Sequence, residues 1–182
     1  MVTIELDVNI GFMDENKDNH GVAHVLEHAL FRHPHFNNNT DLLSMIKKNG
    51  GKGNGETKKY ITKYYFTVPK EKLTWSLKNL NEVIWNRKFN NKSLSKSKNE
   101  VMLENGDPSI DTQILGFPIE DWYKESIKPY STKFLLRNFS INPHAEKSRE
   151  WEKLNVVNLT VKDLTDFYKK YYQPSNGILY IS

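Results

Sequence analysis

The stretch His24-Val25-Leu26-Glu27-His28 places two imidazoles four residues apart, with a carboxylate next to the second. Residues four apart lie on one face of an α-helix, and apolar residues at helical spacing through residues 22–31 predict that helix. Both imidazoles can then reach one metal ion. In this order His24 and His28 would be metal ligands, and Glu27 would be the base that takes a proton from metal-activated water. Imidazole and carboxylate ligands with an open position are typical of catalytic zinc.

The same five residues also have a simpler interpretation. The chain contains six His among its 182 residues. At that composition, this arrangement of His and Glu occurs by chance on the order of once in a hundred such chains. A pair of His at this spacing is often only a solvated helix face. The pentapeptide alone therefore leaves a zinc site and a solvated face open.

Composition excludes several kinds of site. The 182 residues are 37% hydrophobic and 26% charged, which is typical of a globular protein, and we expect one domain over residues 1–182. Cysteine is absent, which excludes disulfides, thiolate zinc sites and cysteine nucleophiles, so any metal must be held by His, Asp or Glu. The net charge of +4 is small for this length and predicts no dedicated nucleic-acid surface.

The beginning of the chain predicts a strand. Residues 2–10 alternate between apolar and polar side chains, the period of a half-buried strand, and they lack the basic start and apolar block of a secretory signal. The sequence contains no run of about 18 apolar residues, the minimum for a membrane-spanning helix. We therefore expect a soluble protein without a membrane span, while the sequence leaves its compartment open.

The remaining segments predict a mixed fold. Residues 52–57 and 61–68 are extended and close enough for a hairpin, and residues 177–182 read as a final strand. Hydrophobic spacing and capping signals predict further helices over residues 40–46, 70–87, 94–104 and 119–126, and from 160 to the residues before Pro174. The predicted fold class is α+β, a mostly antiparallel sheet packed against helices.

Three motifs together resemble the inverzincin metallopeptidases, the family that includes pitrilysin, insulin-degrading enzyme and the mitochondrial processing peptidase. Residues 21–31 resemble its Gly-x-Ala-His-x-x-Glu-His-x-x-Phe segment. Residues 50–57 are similar to its Gly-Gly-x-x-Asn-Ala-x-Thr turn and strand, with Gly55 at the usual Ala, and residues 171–176 resemble the segment before its closing strand. This resemblance covers nearly the whole chain. It implies a processing-peptidase-like fold and a Zn²⁺-dependent endopeptidase that hydrolyses peptides through metal-activated water.

The resemblance also implies a third ligand, a helical glutamate well after the second His. Glu104 matches, because it lies 76 residues after His28 and ends a segment similar to the family's Val-Leu-x-Glu. Glu100 is one turn earlier on the same helix face. It is therefore both the rival ligand and a candidate to orient a ligand through a hydrogen bond. The family usually has another glutamate seven residues before the third ligand, where this chain has Ser97.

Substrate and partners are implied in the same way. Asn54 and Thr57 lie where the family adds an extended peptide to a sheet edge, so we expect them to bind substrate. Family peptidases consist of repeated domains, and a later one contributes an arginine and a tyrosine that hold the substrate carbonyl. We therefore expect a second peptidase-like domain or partner subunit to supply those two groups here.

Two other functions compete with the peptidase. A non-catalytic interaction or assembly subunit is possible, but relatives of that kind usually lose the metal motif, which is intact here. A nucleic-acid module, favoured by the lysines and aromatics of residues 58–66, is weaker because aromatics on hairpins usually form core and cross-strand pairs. We expect no nucleic-acid partner. His20 is a candidate rim residue, and His33 and His35 are extra ligand candidates for which a solvated loop is the simpler interpretation.

Overall fold

The computed structural model describes residues 1–16, 18–31, 41–104 and 155–182. It has strands β1 (Val2–Val8), β2 (Lys52–Thr57), β3 (Thr62–Val68) and β4 (Gly177–Ile181), and helices α1 (Val22–Phe31), α2 (Leu42–Lys48), α3 (Leu73–Trp85), α4 (Asn91–Glu104) and α5 (Val161–Tyr171). These elements confirm the α+β prediction. The helix predicted at residues 119–126 lies outside the described residues.

The strands form one four-stranded sheet in the order β2-β3-β1-β4, and each neighbouring pair is antiparallel. Strand β1 is in the interior, where Ile4 lies opposite Phe66 on one side and Ile181 on the other. The predicted hairpin is β2–β3, closed at the pair Thr57 and Thr62. Strands β2 and β4 are therefore the edges of the described sheet.

Strand β1 ends at Val8, two residues before its predicted end. The chain turns there, since the Ile10 amide bonds back to the Val8 carbonyl at 2.7 Å. Gly11 follows in close contact with the β2–β3 turn, and a Cβ at this position would lie 2.2 Å from the carbonyl oxygen of Lys58. The apolar pattern therefore continues past the strand because Ile10 remains buried after the pairing has ended.

Helix α1 is buried on almost every side. Nine of its ten residues are buried, and His24 is the exception. It packs against β2 on one side and against α4 and α5 on others. Such a helix must satisfy its polar side chains within the protein, because water cannot reach them.

Polar groups fix both ends of α1. At its start, the two carboxylate oxygens of Glu15 accept hydrogen bonds from the amides of Gly21 and Ala23, each at 2.8 Å. Near its end, the buried Arg87 side chain donates to the Ala29 carbonyl at 2.9 Å. Both contacts satisfy backbone groups that the helix itself leaves unpaired.

The other helices differ from prediction at their ends. Helix α2 is shifted by two residues from the predicted 40–46, and α3 stops two residues before the predicted 87. A 3₁₀ turn at Lys70–Lys72 precedes α3, so the predicted helix from residue 70 begins as a tighter turn. Helix α4 starts at Asn91, earlier than predicted, because the Asn90 side chain accepts from the Ser93 amide at 2.9 Å. The predicted capping box of Thr160 and Asp163 is present at α5. Among the described residues, no helix has both the length and the apolar character needed to cross a membrane.

Candidate metal centre

The described packing of α1 against α4 brings His24, His28 and Glu104 together. Nε2 of His24 lies 3.3 Å from Oε2 of Glu104, and Nε2 of His28 lies 3.4 Å from the same oxygen. One ligand atom from each of the three residues lies within 4.8 Å of the others. The group therefore joins two helices, and its members His28 and Glu104 are 76 residues apart in the sequence.

These residues fit a divalent metal ion. The His28 side chain is only 1% exposed, and its Nε2 has no hydrogen-bond partner. An unsatisfied buried polar atom costs about 1–3 kcal/mol, so this nitrogen is better satisfied by an ion than by its present surroundings. Two imidazoles and one carboxylate form a donor set suited to zinc. The burial of His28 also contradicts the solvated-face interpretation of the motif.

Glu100 lies on the other side of the His28 ring. Its Oε2 is 2.9 Å from Nδ1 of His28, whereas Glu104 approaches Nε2. A carboxylate at Nδ1 favours the tautomer in which Nδ1 carries the proton, which leaves the Nε2 lone pair available to a metal. The two glutamates of α4 therefore have different positions. Glu104 lies among the candidate ligands, whereas Glu100 contacts the ring nitrogen of His28 that faces away from them.

Ser97 contacts its own helix. Its hydroxyl is buried and donates to the Ser93 carbonyl at 3.0 Å. The carboxylate partner of the His28 Nδ1 therefore comes from Glu100, three residues after the position where the family resemblance leads one to look for a glutamate.

The charges of the centre are coupled. The neighbouring His24 ring and then the His28 ring hold the pKa of Glu104 well below its ordinary value, against the opposing effect of burial. Burial lowers the pKa of His28, but the nearby Glu100 and Glu104 carboxylates outweigh it, so the net pKa of His28 is raised. In the metal-free protein, a positively charged His28 is thus stabilised between two carboxylates.

Glu27 faces β2. It is 3% exposed, and its Oε2 accepts a hydrogen bond from the Thr57 hydroxyl at 3.0 Å. Gly55 lies beside it, and a Cβ at that position would be 2.6 Å from Oε1 of Glu27. Sequence reasoning assigned Thr57 to substrate and did not anticipate this contact, since nothing in the spacing of residues 27 and 57 indicates that they meet.

Strand β2 presents two different faces. Its burial alternates, with Gly53, Gly55 and Thr57 on the more buried side and Asn54 exposed on the other. Within the described part of the chain, β2 pairs with β3 alone, so its outer edge has backbone groups without a strand partner. This is the edge at which the sequence predicted peptide binding.

The residues of the discarded nucleic-acid interpretation lie elsewhere. Tyr64 and Phe66 are in the core, and Lys63 forms ion pairs with Glu5 and Asp7 on the neighbouring strand. Nδ1 of His20 lies 2.7 Å from Glu15, next to the start of α1. His33 and His35 lie outside the described residues.

Known proteins share this fold. Over 99% of the chain, the structure resembles a protease from Helicobacter pylori with a TM-score of 0.71 and 21% identity, and it covers 40% of that protein. It also resembles pitrilysin with a TM-score of 0.67 and 22% identity, again over 99% of the chain and 18% of pitrilysin. At these identities the likeness is one of fold.

Proteins related to this chain in sequence are named as processing or degrading enzymes or as proteases. The chain is 35% identical over 101 residues to the A-factor-processing enzyme of Saccharomyces cerevisiae, which is 55% of the chain and 10% of that protein. It is 26% identical over 156 residues to the insulin-degrading enzyme homolog of Dictyostelium discoideum, covering 75% of the chain and 16% of the relative. It is 23% identical over 180 residues to the zinc protease PqqE of Helicobacter pylori, covering 98% of the chain and 37% of that protein.

The chain thus spans between 10% and 37% of the length of these three relatives. The sequence model described as Insulinase (Peptidase family M16) matches residues 1–109, and this range includes the complete His24, Glu27, His28 and Glu104 set. More than half of the chain is therefore covered by this match, and the chain belongs to the insulinase family, peptidase family M16.

Proposed function

We propose that this chain is the metal-binding domain of a zinc-dependent endopeptidase. The observation that carries the proposal is the convergence of His24, His28 and Glu104 next to Glu27, a buried carboxylate on the same helix that is not among the candidate ligands. Membership of a peptidase family supports peptide hydrolysis as the reaction. A site of this composition needs all four groups, and the chain has all four.

In this proposal His24, His28 and Glu104 hold Zn²⁺. When bound in such a site, zinc acidifies water and polarises a carbonyl group, which is the chemistry that peptide hydrolysis requires. Glu27 accepts a proton from the attacking water and passes it to the leaving amine, so one carboxylate acts first as base and then as acid. Glu100 keeps His28 in the tautomer that presents Nε2 to the ion.

The substrate would be an extended peptide added to the edge of β2. Backbone groups on this edge can pair with a peptide main chain, and Asn54 and Thr57 lie on the strand that would do so. Pairing through the main chain requires an unfolded segment, because a folded chain already uses those groups. We therefore expect short or unfolded peptides as substrates.

A complete enzyme would need more than these 182 residues. Peptide hydrolysis requires stabilisation of the developing oxyanion, and the loss of one donor group typically costs about 10²- to 10³-fold in rate. We propose that a second peptidase-like domain, in the same polypeptide or in a partner subunit, supplies an arginine and a tyrosine for this purpose. The short span of this chain along its relatives supports that arrangement.

The non-catalytic alternative is less well supported. An interaction subunit has no need for a metal group, whereas here two helices bring three ligand atoms together and Glu100 supports one of them. Titratable side chains that shift one another's pKa values, as His28 and Glu104 do, are concentrated at functional sites.

Metal analysis and hydrolysis assays test the proposal. We expect about one zinc per chain after purification without chelator, loss of that zinc in His28→Ala, and retained zinc without hydrolysis in Glu27→Gln. Glu56→Gln is the matched control, because Glu56 is an exposed carboxylate on β2. Absence of zinc from the unmodified protein, or full hydrolysis by Glu27→Gln, would overturn the proposal.

The need for a second domain has its own test. Peptide cleavage is measured with the 182 residues alone and again after a candidate second domain or subunit is added. We expect zinc binding in both cases and a large rate increase on mixing. Equal turnover by the isolated chain would show that its own residues complete the site.

A further inference from the structure

Strand β2 provides a fitted contact surface for the Glu27 carboxylate. Two residues of the strand contribute, Gly55 and Thr57, and both lie on its more buried face. The Thr57 hydroxyl donates to Oε2 at 3.0 Å. The Oε1 atom occupies the space beside Gly55, where a Cβ would be only 2.6 Å away. One oxygen is thus held by a hydrogen bond and the other by close packing.

The absence of a side chain at Gly55 leaves the space that the Glu27 carboxylate occupies. A Cβ would also be 3.0 Å from the Cδ atom of Glu27 and 3.1 Å from its Cγ, so three consecutive atoms of this side chain fill the space. An alanine would force the end of the Glu27 side chain to move. No backbone atom is among these nearest neighbours, which makes Glu27 the group that must give way.

We propose that Gly55 and Thr57 are positioning residues that set the location of the Glu27 carboxylate. This inference rests on the proposed function, in which Glu27 is the proton acceptor. It changes the role of Thr57 from a residue that touches substrate to one that acts through Glu27. The family pattern has alanine at residue 55, so Gly55 gives this chain a placement of the Glu27 carboxylate that an alanine Cβ would displace.

The arrangement links proton transfer to substrate placement. The strand whose outer edge would pair with a peptide also fixes the group that takes the proton from water. The offset between the bound peptide and the carboxylate is then set within one strand. Displacement of a catalytic group by about 1 Å can cost on the order of 10²-fold in rate. A change in the offset between the peptide and the Glu27 carboxylate should therefore lower the rate measurably.

The Gly55 contact is tested by thermal unfolding of the metal-free protein, which does not depend on activity. Gly55→Ala is measured alone and in a Glu27→Ala background. We expect Gly55→Ala to lower the melting temperature by about 2–4 °C or more, and the loss to shrink by at least half when the Glu27 side chain is absent. An equal loss in both backgrounds would show that the space at Gly55 does not serve Glu27.

The Thr57 contact is tested by kinetics in the full natural protein. Thr57→Val removes the hydroxyl with little change in shape, Thr57→Ser keeps it, and Thr67→Val is the control because it removes a hydroxyl on β3. We expect Thr57→Val to lower kcat by about 10- to 100-fold with KM and zinc affinity within about twofold. Thr57→Ser should recover most of the rate.

The outcomes separate this inference from the proposed function. If Thr57→Val raises KM and leaves kcat unchanged, Thr57 touches substrate and its positioning role is wrong, while the peptidase proposal stands. If Glu27→Gln retains full activity, the proposed role of Glu27 fails, and the positioning role fails with it. Loss of kcat in Glu27→Gln and Thr57→Val, with rescue by Thr57→Ser, supports both.

Discussion

Glu100 and His28 lie 72 residues apart in sequence, yet Oε2 of Glu100 is 2.9 Å from Nδ1 of His28. This contact joins α4 to the centre of α1 at the ring nitrogen that Glu104 does not approach. It fixes the ring of a residue whose other nitrogen is buried and lacks a hydrogen-bond partner. The orientation of His28 is therefore determined before any ion is bound.

Removal of the Glu100 carboxylate should weaken zinc binding. Groups that hydrogen-bond to the second ring nitrogen of a metal-ligating His typically contribute about 10- to 100-fold to metal affinity. We expect a loss in this range for Glu100→Ala. Competition with a chromogenic chelator measures it. Glu71→Gln is the control, since Glu71 is an exposed carboxylate in the 3₁₀ turn before α3. An unchanged affinity in Glu100→Ala would show that His28 needs no such support.

The metal-free protein should lose stability as the pH rises above 6.5, the ordinary pKa of histidine. The folded-state pKa of His28 is raised above its ordinary value of 6.5, despite burial, by Glu100 and Glu104. Protonation of His28 therefore favours the folded state below that value, and the contribution disappears as the pH rises through the folded-state pKa. Glu104 stays ionised throughout, because its own pKa is lowered by His24 and His28.

Urea unfolding at a series of pH values from below 6.5 upward measures this effect, and Glu100→Gln should reduce the change in stability with pH. With zinc bound, the dependence should reverse, because a metal-ligating imidazole must be unprotonated. A metal-free protein that becomes more stable at the higher pH would contradict the assignment.

Glu15→Gln should destabilise α1. The Glu15 side chain is only 1% exposed and accepts from two amides at the start of the helix, where a negative charge also interacts favourably with the helix dipole. We expect a decrease of about 1–2 kcal/mol in the free energy of unfolding, measured with urea. Asp163→Asn provides a comparison at the exposed start of α5, where the same change should cost less.

The two buried tyrosines Tyr64 and Tyr172 should show coupled effects. Their hydroxyls lie 2.8 Å apart, and burial raises the pKa of both. Tyr172→Phe leaves the Tyr64 hydroxyl without this partner, which should cost about 1–3 kcal/mol of unfolding free energy. The double variant with Tyr64→Phe should cost less than the sum of the two single changes. Tyr60→Phe, at a residue 61% exposed, should change nothing measurable.

Local pattern was sufficient to predict most elements. The alternation from Val2 gave β1, the helical spacing around His24 gave α1, and the Thr160–Asp163 capping signal gave the start of α5. Each of these signals depends on neighbours in sequence, and such neighbours have a fixed geometry within a helix or strand. The errors lie at element ends, where tertiary contacts decide, as with Ile10 and Asn91.

Long-range relationships were not predictable in the same way. No spacing rule states that β1 lies between β3 and β4, or that Glu15 caps α1 with both of its oxygens. Glu104 was found as a candidate ligand through family resemblance alone, and Glu100 was placed on the same helix face without a means of knowing which ring nitrogen it meets. The partner of Glu27 on β2 gave no signal, because a threonine hydroxyl and a missing Cβ are common in strands.

The candidate ligands come from two helices at opposite ends of a long segment, so an ion held by them would act as a cross-link. It would close a loop of 76 residues between His28 and Glu104 without any covalent bond. An ion at a thousand times its dissociation constant adds about 4 kcal/mol to the stability of the state that binds it. Zinc supply would then govern the stability of the molecule as well as its chemistry, since chains deprived of the ion lose that contribution.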